Sequence, residues 1–286
     1  MTLIPAHYLD AVGVIEDHLH ATDEFVPVAT GTLLGYEDPD QSGVPEDQTR
    51  YDVYLATNRH VIEGKTQLWI RFNQGAGSGR FPIGVKNEHG ADVFALNEQF
   101  DIAVCGLDAQ ALRDGGAVFS VLPDHAFLDI SGIDALGVAG GDDVFVLGFP
   151  MGLAGTERKY AVVRSGVIAR VDQEVVRETG SFLIDCAVYP GNSGGPVILR
   201  PEPVSLSGLE PRTKVHVVGI VSGYVPYTDT AVSQQTGQPR ITFQENSGLA
   251  NVVPFDPIND LVAQLKEKVK SEPGTETIAD DEPPIG

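Results

Sequence analysis

Residues 189–199, YPGNSGGPVIL, place one serine, Ser193, among three glycines and before an apolar run. Glycine permits positive φ and lets another backbone or a ligand approach closely, so three glycines in five residues indicate a special backbone shape. A turn at Gly194, Gly195 and Pro196 is the simpler interpretation, because these residue types are common in turns. A serine nucleophile is the alternative, since it needs an accessible hydroxyl and backbone N–H groups aimed at the carbonyl oxygen that becomes negative.

The composition is that of an acidic globular chain. Of its 286 residues, 42% are hydrophobic and 21% are charged, and the formal net charge is −21. Phosphate groups are bound by clustered Lys and Arg, so this charge argues against nucleic acids and anionic membranes as partners.

The start of the chain and the two cysteines bear on the compartment. The first residues, MTLIPAHYLDAVGVIEDHLH, lack the basic region and the continuous apolar core of a signal peptide. No run of about 18 apolar residues occurs, so no membrane span is predicted and a cytoplasmic location is expected. Cys105 and Cys186 lie in apolar runs, which predicts two buried thiols, with a single disulfide between them as the alternative.

Short β-branched or aromatic runs, separated by Gly, Pro, Asn and Asp, extend over residues 26–253. They include DVYLATN, DIAVCGL, DDVFVLGF and SFLIDCAV. Such runs without helical spacers predict an all-β sandwich or a pair of barrels. Residues 225–245 show no clear periodicity and are predicted to form a long loop.

The two ends of the chain differ from this pattern. Loosely helical spacing of apolar residues at 6–20 predicts a helical arm over residues 1–25; His18 and His20 do not share a helical face, so no metal site is predicted there. Residues 256–270, DPINDLVAQLKEKVK, predict a helix with Asp256 as its N-cap. Residues 271–286 are acidic and proline-containing, which predicts a disordered tail.

A serine nucleophile needs a base, and histidine is the usual one near neutral pH. Most of the seven histidines lie in polar surroundings, whereas His60 follows the strand-like run DVYLA through Thr57, Asn58 and Arg59. A rigid strand would hold such a histidine at a cleft. A histidine satisfied inside the core at a strand edge is the alternative.

The acid that would orient the histidine is expected to be an aspartate beside an apolar run. Asp101 opens the run DIAVCGL, where a carboxylate risks desolvation and needs hydrogen-bond partners such as a histidine. Asp92 and Asp108 lie in looser contexts and are weaker candidates.

The serine loop also fits G-x-S-x-G, the nucleophile elbow of α/β-hydrolases. That elbow needs a helix after the serine, and then an acid and a histidine in that order. Ser193 is instead followed by Gly-Gly-Pro and a strand-like run, so this interpretation is rejected.

Three motifs, TNRHVIEG around His60, FDIAV around Asp101 and GNSGGPV around Ser193, resemble the trypsin-like serine peptidases. GNSGGP, TNRHV and LIDCAV look similar to the HtrA/Deg-like bacterial branch of that family. The resemblance implies an all-β fold of two six-stranded antiparallel barrels over residues 26–270, with their boundary near residues 114–141. It also implies a C-terminal helix and an active site between the barrels.

The resemblance further implies a role for each residue of the motifs. Ser193 would attack the scissile carbonyl, His60 would take its proton, and Asp101 would orient His60. The amides of Gly191 and Ser193 would form the oxyanion hole. No cofactor and no metal are implied, and the partner is a protein or peptide substrate; partner proteins of a larger system and the oligomeric state stay open.

Two departures from the family change what is expected. Asn192 stands where pancreatic-type relatives have an aspartate that pairs with a newly cleaved N-terminus, so activity without N-terminal processing is expected. No PDZ-like domain is recognisable after the peptidase region, so the chaperone-protease behaviour of HtrA proteins is not assumed.

The primary substrate pocket is also inferred from the resemblance. Ala187 would lie at its base without a carboxylate, which predicts a small or medium apolar P1 residue rather than Arg or Lys. Tyr189 is able to reshape this pocket. Its wall, which would pair with the substrate backbone, comprises Val221, Ser222, Gly223 and Tyr224.

The sequence therefore predicts a serine endopeptidase. A catalytically silent trypsin-like protein-binding module is the alternative, although its usual mark is a lost triad residue and none is lost here. An esterase with the same three residues is a third candidate.

Overall fold

The structure is a computed structural model and describes residues 4–38, 49–202 and 212–271. The tail predicted over residues 271–286 lies outside the described residues, apart from Ser271 at the end of the last helix. Among the described helices, none is both long enough and apolar enough to cross a lipid bilayer.

The first half of the chain forms one eight-stranded sheet. Seven strands follow the order β5-β4-β1-β2-β3-β7-β6 with antiparallel neighbours, and β8 pairs in parallel with β2. The strands are β1 (Val12–Leu19), β2 (Glu24–Glu37), β3 (Tyr51–Thr57), β4 (Gln67–Gln74), β5 (Gly77–Gly84), β6 (Ala95–Asn97), β7 (Ile102–Gly106) and β8 (Leu122–Pro123). This unit is thus an eight-stranded sheet where a six-stranded barrel was expected.

The second half forms a closed antiparallel barrel of six strands, in the order β10-β11-β14-β13-β12-β9. The strands are β9 (Asp143–Gly148), β10 (Val162–Arg170), β11 (Phe182–Asp185), β12 (Pro196–Leu199), β13 (His216–Val232) and β14 (Pro239–Val253). The predicted all-β class is therefore confirmed, and this unit is a barrel of six strands, as expected.

The described residues form six α-helices between or beside the strands. They are α1 (Ala6–Asp10), α2 (Arg59–Ile62), α3 (Ala109–Asp114), α4 (Ile130–Ala135), α5 (Gln173–Thr179) and α6 (Phe255–Ser271). The last of them confirms the predicted C-terminal helix. Asp256 is its second residue, and its carboxylate accepts a hydrogen bond from the Ile130 amide at 2.9 Å, so it does not have the predicted N-cap position.

The helical arm predicted over residues 1–25 is wrong for most of its length. Of the described residues 4–25, only α1 is helical, and Val12–Leu19 is strand β1 between β2 and β4. Val12, Val14 and Ile15 are all buried, so apolar residues lie on both faces of this strand. A strand buried on both faces loses the alternation that distinguishes it from a helix.

The loop predicted over residues 225–245 is also wrong. β13 and β14 continue past the barrel as a two-stranded ribbon, with Pro226 opposite Asn246 near its base and Val232 opposite Pro239 near its tip. The ribbon residues are exposed, so the segment buries no face and carries no hydrophobic period in its sequence.

Each β unit has its own apolar core, and α6 packs across both. Phe72 and Ile70 lie in the core of the sheet, and Val146 and Ile184 in that of the barrel. A cluster between the units contains Tyr54 and Val104 of the sheet, Val217 and Ile220 of the barrel, and Phe255, Ile258 and Leu261 of α6. Each buried side chain of this size contributes roughly 1.5–3 kcal/mol, so α6 helps fix one unit against the other.

Both cysteines are free and buried, as predicted. Burial raises the pKa of Cys105 to about 12 and also raises that of Cys186. Both thiols are therefore protonated at neutral pH.

Candidate active site

His60 lies in α2, the short helix that follows β3. Val61 and Ile62 of this helix are buried and anchor it to the core of the sheet. The His60 side chain is 47% exposed, so it reaches the surface from a rigid support. The alternative of a satisfied core histidine does not apply.

Asp101 holds the His60 imidazole through its carboxylate. Asp101 Oδ2 lies 2.7 Å from His60 Nδ1, and Oδ1 accepts a hydrogen bond from the His60 amide at 3.1 Å. A carboxylate only accepts, so the proton of this pair lies on Nδ1 in neutral imidazole and Nε2 keeps its lone pair. The ring therefore has the tautomer and the orientation that a general base needs.

The backbone of Asp101 is itself in an unusual conformation. Its φ is +46°, a left-handed value that is uncommon for a residue other than glycine. The buried Asn58 side chain donates to the Asp101 carbonyl at 2.9 Å, and the Arg59 amide donates to the same oxygen at 3.4 Å. These bonds retain a strained backbone, which is a feature of functional sites.

The glycines around Ser193 are required by close backbone contacts. Gly191 has φ +99°, and a Cβ there would lie 2.3 Å from the carbonyl oxygen of Phe149. Gly194 has φ +86°, and a Cβ there would lie 1.9 Å from the carbonyl oxygen of Thr30. The loop is thus more than a simple turn, because its glycines let other parts of the backbone approach.

Two amides of this loop have no acceptor among the described residues. Asn192, Gly194 and Gly195 donate their amides to Tyr189, Val221 and Asn192 carbonyls at 2.8–2.9 Å. Within residues 4–38, 49–202 and 212–271, the amides of Gly191 and Ser193 donate no hydrogen bond. Buried N–H groups are seldom left unpaired, so these two donors in a largely buried loop are available to an acceptor from a bound molecule.

The direction of the Gly191 N–H depends on the orientation of its peptide group, which it shares with the Pro190 carbonyl. The Met151 amide donates to the Pro190 carbonyl at 2.6 Å, and the described residues contain no cis peptide bond. In a trans peptide the N–H and C=O groups point in opposite directions, so the Gly191 N–H points away from Met151.

Two buried threonines of β2 fasten the Ser193 loop to the sheet. Thr30 Oγ donates to the Gly191 carbonyl at 2.7 Å, and Thr32 Oγ donates to the Gly194 carbonyl at 2.6 Å. The Thr30 amide donates to the Ser193 carbonyl at 2.8 Å. The sequence reasoning missed both residues, although two threonines in the apolar run VATGTLL were a signal that buried hydroxyls need partners.

Through Thr30, hydrogen bonds also connect the Ser193 loop to the strand that precedes His60. Thr57 Oγ donates to the Thr30 carbonyl at 3.1 Å, and Thr57 lies three residues before His60. The Ser193 hydroxyl donates to the Ser222 carbonyl at 3.1 Å. Among the described residues no hydrogen bond joins Ser193 to His60.

The predicted substrate-binding residues lie on two segments beside this loop. Val221 is hydrogen-bonded to the loop through both backbone groups, to Gly194 and Gly195 at 2.8 Å each. Ser222, Gly223 and Tyr224 continue along β13, past a register shift at this point.

Ala187 and Tyr189 lie on the segment that leads into the serine loop and are partly buried. The Tyr189 amide donates to the Asn192 side chain at 3.0 Å, and the Arg164 guanidinium lies 5.6 Å from the centre of the Tyr189 ring. Asn192 is fully buried and uncharged, so its side chain braces the loop through a neutral bond. Over the described residues, no three His, Cys, Asp or Glu side chains are grouped so as to hold a metal ion.

Comparison with known proteins identifies the family of the chain. Residues 41–202, more than half of the chain, match the family described as "Trypsin-like peptidase domain". A probable periplasmic serine protease do/HhoA-like of Haemophilus influenzae is 27% identical over 218 residues, which are 75% of this chain and 34% of that protein. The magnetosome formation protease MamE of Paramagnetospirillum magneticum is 27% identical over 154 residues, 52% of this chain and 17% of that protein.

A solved structure is also similar. The MamO protease domain from Magnetospirillum magneticum is 16% identical with a TM-score of 0.47, over 89% of this chain and 96% of that chain. The chain spans about a third or less of the length of the curated relatives it matches.

These relatives correct the predicted location. The proteins from Haemophilus influenzae and Halomonas elongata are named as probable periplasmic proteases, which points to a location outside the cytoplasm. The cytoplasmic prediction was wrong because it depended on the first residues, the lack of a long apolar run and two buried thiols, and none of these fixes a compartment.

The matched segment contains the residues of all three motifs, from His60 to Ser193, and the chain belongs to the trypsin-like peptidase domain family.

Proposed function

We propose that the chain is a serine endopeptidase in which Ser193 is the nucleophile, His60 the general base and Asp101 the residue that orients His60. The observation that carries the proposal is the doubly held His60, at 2.7 Å and 3.1 Å from the Asp101 carboxylate. The free amides of Gly191 and Ser193 support it, because they supply the second requirement of acyl transfer.

The reaction follows from these groups. The Ser193 oxygen bonds to the scissile carbonyl carbon while His60 Nε2 accepts the hydroxyl proton, and the carbonyl oxygen becomes an oxyanion. The Gly191 and Ser193 amides donate to that oxyanion. His60 then gives its proton to the leaving amine as the C–N bond breaks, and water releases the acyl group by the same steps.

The Ser193 hydroxyl must change its partner before the first step. It donates to the Ser222 carbonyl, and a rotation about one side-chain torsion would be needed to direct it elsewhere. Ser193 is partly buried, but the rotation needs no backbone movement, so we do not expect this bond to limit turnover.

The substrate is a polypeptide that enters between Ala187 and β13. The absence of a carboxylate at Ala187 supports a small or medium apolar P1 residue. The uncharged Asn192 supports activity without a new N-terminus. The periplasmic names of relatives support a substrate outside the cytoplasm. Cleavage of a peptide library checks the pocket, and a clear preference for Arg or Lys at P1 would contradict it.

Labelling with a fluorophosphonate probe tests the catalytic proposal. The probe bonds to an activated serine oxygen with loss of fluoride, so wild type should be labelled and Ser193→Ala should not. Ser165→Ala is the matched control, because Ser165 is an exposed serine on β10 and should leave labelling unchanged. A folded wild type that is not labelled at Ser193 would instead favour the protein-binding module.

A further inference from the structure

Residues 149–160 connect β9 to β10. They contact the Ser193 loop at one end and residues near the start of the chain at the other. We call them the 149–160 segment. At its first end, the Met151 amide holds the Pro190 carbonyl at 2.6 Å, and the Phe149 amide donates to Thr30 Oγ at 3.2 Å. This end therefore decides where the Gly191 N–H points.

The other end of the segment is held by a buried lysine. Lys159 is 2% exposed, and its ammonium group donates to the Leu9 carbonyl at 3.0 Å and to the Val12 carbonyl. Its amide donates to Asn73 Oδ1 at 2.8 Å, and its carbonyl accepts from Asn73 Nδ2 at 3.2 Å. Lys159 thus joins the segment to α1, β1 and β4 at once.

Burial of this cation has a cost that its contacts must offset. Burial lowers the pKa of Lys159 to about 8; Asp10 of α1 acts against this shift and Arg71 of β4 acts with it. Arg71 is itself paired with the buried Glu16 of β1. A lysine is almost never fully buried unless its ammonium group is paired, so the two carbonyl contacts of Lys159 are what hold it in place.

Further contacts hold the 149–160 segment together as one rigid unit. The Tyr160 amide donates to the Ala154 carbonyl at 3.0 Å, and Arg71 donates to the Gly155 carbonyl at 3.0 Å. Phe149 and Ala154 are buried in one apolar cluster with Val12 of β1. Both ends of the segment therefore share contacts with the N-terminal strand.

We propose that Lys159 is a positioning residue for the oxyanion-binding amides: it ties the 149–160 segment to residues 9–12, and the segment in turn aims the Gly191 N–H through the Pro190 carbonyl. The proposal rests on the proposed peptidase function. Movement of the N-terminal segment then changes the activity of Ser193 without touching the catalytic side chains.

The first test is amide hydrogen exchange in the wild-type protein. If the segment is one body, the Met151 and Tyr160 amides open together and show the same protection. Protection of Met151 that differs from that of Tyr160 by more than tenfold would overturn the proposal. This measurement is independent of activity, so it remains informative even if Ser193 proves inert.

The second test uses Lys159→Met, which keeps the length of the side chain and removes its donors. We expect the acylation rate to fall about tenfold with little change in KM, because an oxyanion donor acts on the transition state; complete loss of one such donor costs about 10²–10³. Protection of the Met151 amide should fall with it, while barrel amides such as Val146 stay protected.

Lys86→Met is the matched control, since Lys86 is an exposed lysine paired with Asp92 at 2.7 Å. It should change neither measurement. If Lys159→Met does not fold, Lys159→Gln replaces it, because its amide keeps two donors and should lose activity only in part. A folded Lys159 variant with wild-type acylation and wild-type Met151 protection would refute the proposal; if neither variant folds, the wild-type exchange result decides.

Discussion

The His60–Asp101 corner and the Ser193 loop carry the two halves of the candidate site by different physical means. The corner is made of side chains of the eight-stranded sheet, and its decisive contact joins an imidazole to a carboxylate at 2.7 Å. The loop is made of backbone, and its decisive features are two amides that have no acceptor in the described part of the chain and two glycines with positive φ.

The difference also lies in what holds each half. The corner is held from within one unit, by Asn58 and by the buried residues of α2. The loop belongs to the barrel but is fastened by Thr30 and Thr32 of the sheet. The corner should therefore fail when one side chain changes, and the loop should fail when the fit between the units changes.

The change expected to have the largest effect is Asp101→Asn. The amide no longer favours the His60 tautomer with a lone pair on Nε2, so kcat should fall roughly 10⁴-fold. The protein should still fold, because one oxygen of the new side chain is able to accept from the His60 amide. Stopped-flow acylation measures the rate; activity within tenfold of wild type would contradict a role for Asp101 in orienting His60.

The corner is the half that the sequence predicts best. TNRHV and FDIAV name the interacting side chains, and the structure brings His60 and Asp101 into contact, while their catalytic roles stay predictions. The loop is predicted only in part. GNSGGP indicates a special backbone shape, but the residues that fix it, Thr30 and Thr32, lie more than 160 residues away in sequence.

The missed parts of the fold share a cause with the missed parts of the site. β1 is buried on both faces and the ribbon of β13 and β14 on neither, so neither segment shows the alternation that marks a strand. Nothing in the sequence indicated that Lys159 is buried, because its burial depends on packing against α1 and β1, which are distant in sequence. Local patterns do not report contacts that form only between distant segments.

Gly194→Ala should have the next largest effect and tests the loop. The new Cβ would lie 1.9 Å from the Thr30 carbonyl oxygen, so the loop or β2 must shift. We expect acylation to fall about 10²–10³-fold, as for loss of an oxyanion donor, together with a lower Tm.

Gly64→Ala is the control for the conformational cost of a positive φ without any steric clash. Gly64 has φ +72° with no atom within 4 Å of a Cβ there, so it pays only the conformational cost of about 1–2 kcal/mol. The two variants should differ strongly in acylation. Equal rates would mean that the close fit between loop and sheet is not needed.

Thr30→Val is the mildest of the three changes. It removes the hydrogen bonds of the Thr30 hydroxyl while leaving the packing volume unchanged. Valine keeps the volume of threonine but removes the hydroxyl that donates to the Gly191 carbonyl and accepts from the Phe149 amide. Leaving buried groups unpaired costs about 1–3 kcal/mol, which thermal unfolding would detect. Because Gly191 loses one of the two hydrogen bonds that hold the peptide groups on either side of it, acylation should fall about tenfold.

Thr242→Val is the matched control, since Thr242 lies on the exposed ribbon and its hydroxyl contacts only Thr230 among the described residues. It should leave both Tm and acylation near wild type. A Thr30→Val protein that loses stability but acylates normally would show that the Met151–Pro190 bond alone aims the Gly191 amide. The loop would then depend on the barrel rather than on the sheet, and the contrast with the His60–Asp101 corner would disappear.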